Sequence, residues 1–317
     1  MLLVATVFWA SSFPLVKSIA LEQQKLLPDA NTWFLTALGV MYRFGVAGLL
    51  LALFLGRKLL KITRLEFEQG VGLALFGVGG ILFQVDGLYY TAASTSAFLT
   101  QTYVVFIAVW VALAQRRWPT GRVIRSLVLV LAGLAILAGL DLNSFRLGRG
   151  ETETLIGSLL FGGQILMLER PRYAANDPLR FSVVMFVAMA LICVPGVWLT
   201  APNAGACLQA FASPAALSFL AMLVIVCTLG GYLFMNRWQP YVSATEASLI
   251  YCLEPVLTSA LSLFLPAWIS VWAAFNYANE SLTARLLIGG GLITLANVLL
   301  QKREPVPGPA RECPPPA

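Results

Sequence analysis

The sequence predicts an all-α integral membrane protein with ten transmembrane helices arranged as two inverted five-helix repeats. Composition comes first: the 317 residues are 59% hydrophobic and 11% charged, with a mean hydropathy of +0.80. An average soluble domain is roughly 25% charged. Length comes second, because apolar stretches of about 20 residues, enough to cross a hydrocarbon core near 30 Å thick, can be placed ten times. Repetition comes third. Gly79-Gly80-Ile81-Leu82-Phe83, running on to Tyr90 and Ala93, returns as Gly230-Gly231-Tyr232-Leu233-Phe234, running on to Tyr241 and Ala244, always 151 positions later. Five crossings per half turn the second copy upside down relative to the first, the architecture of secondary transporters.

The spans are placed at 2–20, 34–55, 69–91, 95–115, 122–140, 153–171, 179–199, 214–236, 243–265 and 282–301. Residues 1–140 form the first repeat, 141–301 the second, and 302–317 a disordered cytoplasmic tail, since KREPVPGPARECPPPA is charged and Pro-rich. The first span contains Pro14, which removes the donor that would bond the Ala10 carbonyl. The second carries Arg43. The third holds Gly70, Gly72, Gly77, Gly79 and Gly80, which let backbones approach closely, and ends near Asp86. The fourth presents Thr95, Ser96, Thr100, Thr102 and Tyr103 on a polar arc. The fifth and tenth have almost no polar side chains and are placed at the periphery, against lipid or a second protomer of a homodimer. The eighth carries the repeated glycines and Arg237. On the ninth, Ser243, Tyr251, Glu254 and Thr258 share one sector at 100° per residue, with Glu246 to one side. Pro255 frees the Tyr251 carbonyl there, so kinks are expected at Pro14 and Pro255. Trp268, Trp272, Phe275 and Tyr277 between the ninth and tenth spans read as an interfacial aromatic belt.

Charge sets the orientation. Placing the N-terminus inside puts fifteen Lys and Arg on the cytoplasmic side and five on the other, with Arg43 within a span. Both termini are therefore expected in the cytoplasm, in a bacterial inner (plasma) membrane. The net charge of +6 is accounted for by topology, and no nucleic-acid partner is expected. Met1 opens into the first span with no basic leader, so no cleaved signal peptide is expected. There is no phosphate-binding loop of the GxxxxGK type. There are no histidines, which removes His-based catalysis and HExxH zinc chemistry. The cysteines at 193, 207, 227, 252 and 313 have no metal or redox spacing. No enzyme activity, metal or cofactor is expected, and a proton gradient would have to act through Asp or Glu.

Phe8-Trp9-Ala10-Ser11-Ser12-Phe13-Pro14-Leu15-Val16-Lys17 resembles the first-helix signature of the EamA family in the drug/metabolite transporter superfamily. Arg43-Phe44 is similar to that family's recurrent Arg-Phe. Gly87-Leu88-Tyr89-Tyr90-Thr91-Ala92-Ala93-Ser94 with Ala97-Phe98-Leu99-Thr100 resembles its third-to-fourth helix hairpin. Tyr241-Val242-Ser243-Ala244-Thr245 through Leu253-Glu254-Pro255-Val256 resembles the matching hairpin of the second half. The resemblance implies ten helices in two inverted repeats, a central cavity and outward transport of small metabolites. The segment from Pro266 to Ser281 departs from the short Gly-Glu turn the family has there.

An ionisable group at bilayer depth is costly unless it meets a partner or water. Arg43 and Glu254 both lie near mid-span and either face one substrate cavity or form an ion pair locking helices. Candidate substrate contacts are Trp9, Ser12, Arg43, Tyr90, Thr100, Tyr103, Tyr251 and Glu254. Lys17 with Asp86 at the outer end, and Arg237 with Glu246 at the inner end, are candidate gates or proton carriers. Lys17 and Arg237 snorkelling to their interfaces is the rival reading. The function expected is secondary transport, as an exporter, of a small organic metabolite such as an amino acid. Carriage of phosphorylated or nucleotide-linked sugars, or a sensor or scaffold role, are the alternatives.

Overall fold

The computed structural model describes residues 1–114, 121–137, 147–274 and 276–301. The tail at 302–317, Phe275, Cys313 and the last three residues of the fifth predicted span lie outside them, as does the side chain of Glu246.

Each of the ten predicted segments overlaps helix. The first half contains α1 (Leu2–Leu26), α2 (Thr32–Leu55), α3 (Arg64–Gly87), α4 (Ala93–Thr100), α5 (Tyr103–Ala114) and α6 (Gly121–Leu137). The second contains α7 (Arg149–Leu168), α8 (Pro178–Thr200), the short α9 (Ala206–Gln209), α10 (Pro214–Met222) and α11 (Gly231–Trp238). It continues with α12 (Ala244–Ile250), α13 (Glu254–Ser262), α14 (Leu265–Ala273) and α15 (Ala284–Gln301). Among the described residues, six stretches are long and apolar enough to cross a membrane: Leu2–Leu26, Thr32–Lys61, Arg64–Gly87, Ala93–Ala114, Pro178–Thr200 and Pro214–Tyr241. The Tyr251–Ser262 helix and α14, bent by 54° at their junction, make a seventh if counted as one.

Local chemistry sets the helix ends. Asn31 caps α2 by accepting from the Trp33 amide at 2.9 Å, and Gly56 closes it at φ 49°, a conformation that favours glycine. Thr63 and Glu66 form a reciprocal capping box that starts α3 five residues before the predicted span. Asp177 caps α8, accepting from the Leu179 and Arg180 amides at 2.9 and 3.2 Å.

Three predicted spans are interrupted. The fourth breaks at Gln101 and Thr102 between α4 and α5. The eighth passes through a π-helical stretch, Leu223–Gly230, between α10 and α11. The ninth passes through a 3₁₀ turn, Tyr251–Leu253, immediately before Pro255. At Pro14 the outcome differs. There α1 runs on unbroken, and the carbonyl of Ala10 accepts from the Thr258 hydroxyl of α13 at 3.2 Å. The freed acceptor becomes a tie between α1 and α13.

Packing pairs α2 with α8, α3 with α7, α6 with α15, α1 with α11 and α13, and α4 with α7 and α13. The repeated glycines sit where α3 meets α7 and α11 meets α1. A Cβ on Gly79 or Gly80 would lie 2.9 Å from Leu160 or 2.7 Å from Phe161, and one on Gly230 or Gly231 would lie 2.8 Å from Phe8 or 2.4 Å from Trp9. The same small-residue notch therefore receives two consecutive bulky residues in both halves.

Candidate substrate cavity

A cavity of about 60 Å³ lies in the middle of the bundle, with residues of α1, α2, α3, α7, α11 and the interrupted fourth and ninth spans on its wall. Seven of the eight expected substrate contacts line it: Trp9, Ser12, Arg43, Thr100, Tyr103, Tyr251 and Glu254. The eighth, Tyr90, does not. It is 44% exposed at the end of the hairpin after α3, where its hydroxyl meets Arg149 Nη1 at 2.7 Å and Thr32 at 3.0 Å.

Arg43 and Glu254 share this cavity, and among the described residues no ion pair joins them. Arg43 is buried, donates from Nε to the Thr228 hydroxyl at 2.7 Å and lies 5.3 Å from the Phe44 ring centre. Thr228 in turn donates to the Leu223 carbonyl five residues back at 2.9 Å. The π-helical register thus turns this hydroxyl into the seat of the guanidinium, a use of π turns found at functional sites. Glu254, equally buried, accepts from Gln101 Nε2 at 3.2 Å. Gln101 stands at the break between α4 and α5, and its own Oε1 is buried without a partner.

Aromatic rings form one wall. Trp9 meets Tyr232 and Tyr251 edge to face, with ring centres 5.5 and 5.3 Å apart. Its indole nitrogen is buried without a hydrogen-bond partner. The Tyr251 hydroxyl is held by Gln239 at 3.1 Å, and Gln239 donates to the Ile165 carbonyl at 3.0 Å. Opposite, Gln84 donates to Thr100 at 2.9 Å.

The wall carries a second pattern. Ile81 and Tyr232, Gln84 and Met235, Thr100 and Tyr251, and Tyr103 and Glu254 are each 151 positions apart. Trp9 and Phe161, and Ser12 and Gln164, are 152 apart. Twelve of the fourteen lining residues thus form six pairs, leaving Arg43 and Ile165 without a counterpart. Tyr232, Gln84, Gln101, Gln164 and Phe161 were not among the expected contacts. The 151-residue offset that revealed the repeat would have found Tyr232 from Ile81.

The polar ends of the bundle correct the expected pairings. Asp86, fully buried, pairs with Arg149 Nη2 at 2.5 Å and not with Lys17, and Arg149 also holds Glu153 at 2.8 Å. Lys17 instead donates to the Leu88 carbonyl and, at 3.2 Å, to that of Thr91. At the other end Arg237 is exposed and lies 5.6 Å from the Trp238 ring centre. The charge network there is Arg180 with Glu66 at 3.0 Å and Arg172 with Glu68 at 2.8 Å, linking the start of α3 to the first turn of α8 and to the segment between α7 and α8.

Residues 1–139 match the family model of the EamA-like transporter family. The first half of the chain is thus similar to an EamA unit. A protein of Archaeoglobus fulgidus described as an uncharacterized transporter is 26% identical over 303 residues, covering 95% of this chain and 85% of its own length. A solved crystal structure aligns with 94% of this chain and 96% of its own at a TM-score of 0.58 and 17% identity, a likeness of fold. The matched residues contribute Trp9, Ser12, Arg43, Thr100 and Tyr103 to the cavity, and the remainder of the chain supplies Tyr232, Tyr251 and Glu254. With six helices of spanning length and apolarity, the chain is an integral membrane protein.

Proposed function

We propose that the protein is a secondary transporter that exports a small organic metabolite, such as an amino acid or related compound, by alternating access. The observation that carries this reading is the placement of Arg43 and Glu254 on one central wall without mutual pairing. A carboxylate-bearing solute would find the guanidinium, and its amine would find Glu254, while Trp9, Tyr232 and Tyr251 offer faces to an apolar side chain. Arg43 is the sole cation among the described lining residues, whereas a phosphorylated or nucleotide-linked sugar calls for several.

The two-repeat architecture belongs to the same proposal: residues 1–140 and 141–301 form inverted five-helix units in a plasma membrane, with both termini cytoplasmic. Exchanging each helical segment for its counterpart in the other half maps the α3–α7 contact onto the α11–α1 contact, and the α5–α7 contact onto the α13–α1 contact. The six lining pairs support it as well. Glu254 is the proton carrier of this scheme, because a buried carboxylate whose hydrogen-bond partner is a neutral amide gains from binding either a proton or a cation. At about 60 Å³ the cavity has room for only a few waters, so the side chains on its wall must part to admit the solute. The test is flux of amino acids from proteoliposomes with and without a pH gradient. Substrate-specific, gradient-driven flux supports a coupled carrier, and vesicles no more permeable than protein-free liposomes to every solute tried would leave the scaffold reading.

A further inference from the structure

Two further cavities continue from the central one toward the end of the bundle where α1 finishes. The first, about 30 Å³, lies among α1, α2, α3 and α10 and shares Arg43 with the central cavity. The second, about 330 Å³, shares Tyr89 with the first and is bounded by Lys17, Thr91, Tyr277 and Glu280. The three volumes thus form a series with Arg43 as the wall at one junction and Tyr89 at the other.

Each volume is lined by a residue with a buried polar atom that has no partner among the described residues: Trp9 Nε1 for the central cavity, Gln23 Nε2 for the 30 Å³ volume and Tyr277 Oη for the 330 Å³ one. Gln23 is 1% exposed and Tyr277 8%. The Gln23 Oε1 accepts from the Tyr89 hydroxyl at 3.1 Å, while its Nε2 has no partner among the described residues. Leaving such a group bare in a folded protein is costly, and three on the walls of one line of cavities are explained together if water or solute occupies that line. The outermost volume has charges to spare as well. Two of the three donors on Lys17 are engaged by carbonyls, and Glu280 uses Oε1 for the Ser94 amide at 3.3 Å.

We propose that this series is the solute's route between the central cavity and the outer face, passing Arg43 and then Tyr89, and that the vestibule between Lys17 and Glu280 is a second station for a small zwitterion. This rests on the transport reading, and its test is separable from it. With the five native cysteines replaced, single cysteines are placed at Ala92 (vestibule), Gly39 (passage) and Ser12 (central cavity). A Cβ on Gly39 meets nothing within 4 Å, so that probe is accommodated. The readout is the rate of modification by a membrane-impermeant, cationic methanethiosulfonate in sealed vesicles of each orientation.

Ala92→Cys and Gly39→Cys should react from the same face, with Gly39→Cys slower. Adding Arg43→Ala should raise the rate at Ser12→Cys from that face at least tenfold. Lys17→Gln and Glu280→Gln should change the rate at Gly39→Cys less than threefold while raising the half-saturating solute concentration for flux. Gly39→Cys silent from that face in both the Arg43 and Arg43→Ala backgrounds, while Ala92→Cys reacts, would overturn the route. Absence of flux with Gly39→Cys still reactive would sink transport and leave a wet passage. Flux unaltered by Lys17→Gln and Glu280→Gln would remove the second station.

Discussion

Glu254 and Arg43 hold the central wall through different supports, and each support predicts its own failure. Glu254→Gln keeps shape and a hydrogen bond to Gln101 but removes the titratable group, so gradient-driven flux should lose its pH dependence and fall about tenfold, as loss of one charge-assisted contact of about 1.4 kcal/mol implies. Flux measured between pH 6 and 8 checks it. Arg43→Lys keeps the charge but gives up the planar group that donates to Thr228, and it should weaken solute binding as much as Arg43→Ala does, within a factor of about three. Titration of solute against purified protein is the measurement. Of the candidate contacts, those on regular helix were legible as polar positions on one face. Gln101 was not, because neither Pro nor Gly announces the break that turns it toward Glu254. Tyr90 was misplaced because its helix ends at Gly87, three residues short of it, and the hairpin carries the ring to Arg149.

At the level of helices, interrupted segments and unbroken ones divide the work. Pro14 was legible as a freed carbonyl, yet its partner, Thr258, lies 248 positions away in the chain, beyond any local pattern. Thr258→Val should therefore cost about 1 kcal/mol, seen as a lower thermal midpoint in detergent, and the loss should be smaller in a Pro14→Ala background, where Ala10 regains its helical donor. The glycine notches make a symmetric prediction. Gly80→Ala and Gly231→Ala each push a methyl into an aromatic ring, at 2.7 Å from Phe161 and 2.4 Å from Trp9. Each should destabilise by about 1–3 kcal/mol, and Phe161→Leu or Trp9→Leu should restore part of the loss in its own half alone. The π-helical stretch that seats Arg43 had no sequence signal, since Leu223–Gly230 is uniformly apolar but for Thr228.

For the whole molecule, the repeat was readable from seven positions at a fixed offset, and it governs more than the motif itself. It aligns the cavity wall pair by pair, while the chemistry of the pairs diverges: a tyrosine at 103 answers a glutamate at 254, and a threonine at 100 answers a tyrosine at 251. A pseudo-twofold frame with unequal side chains can present different chemistry to each face of a membrane, which is what directional export requires. The charge networks at the two ends were harder to foresee, because Asp86 and Glu66 are claimed by Arg149 and Arg180 from the other half of the chain. Predicted depth in the membrane pointed to Lys17 for Asp86, but tertiary packing gives Asp86 to Arg149.

The account stands most directly on the opposed orientation of the two halves. Tyr90 and Tyr241 occupy matching positions in the repeat and are 44% and 41% exposed, so a cysteine at either site is open to reagent. With the native cysteines replaced, Tyr90→Cys and Tyr241→Cys should be modified by an impermeant reagent from opposite faces of sealed vesicles, Tyr90→Cys from outside and Tyr241→Cys from within. Modification of both from one face would contradict the inverted repeat and the shared central cavity built on it.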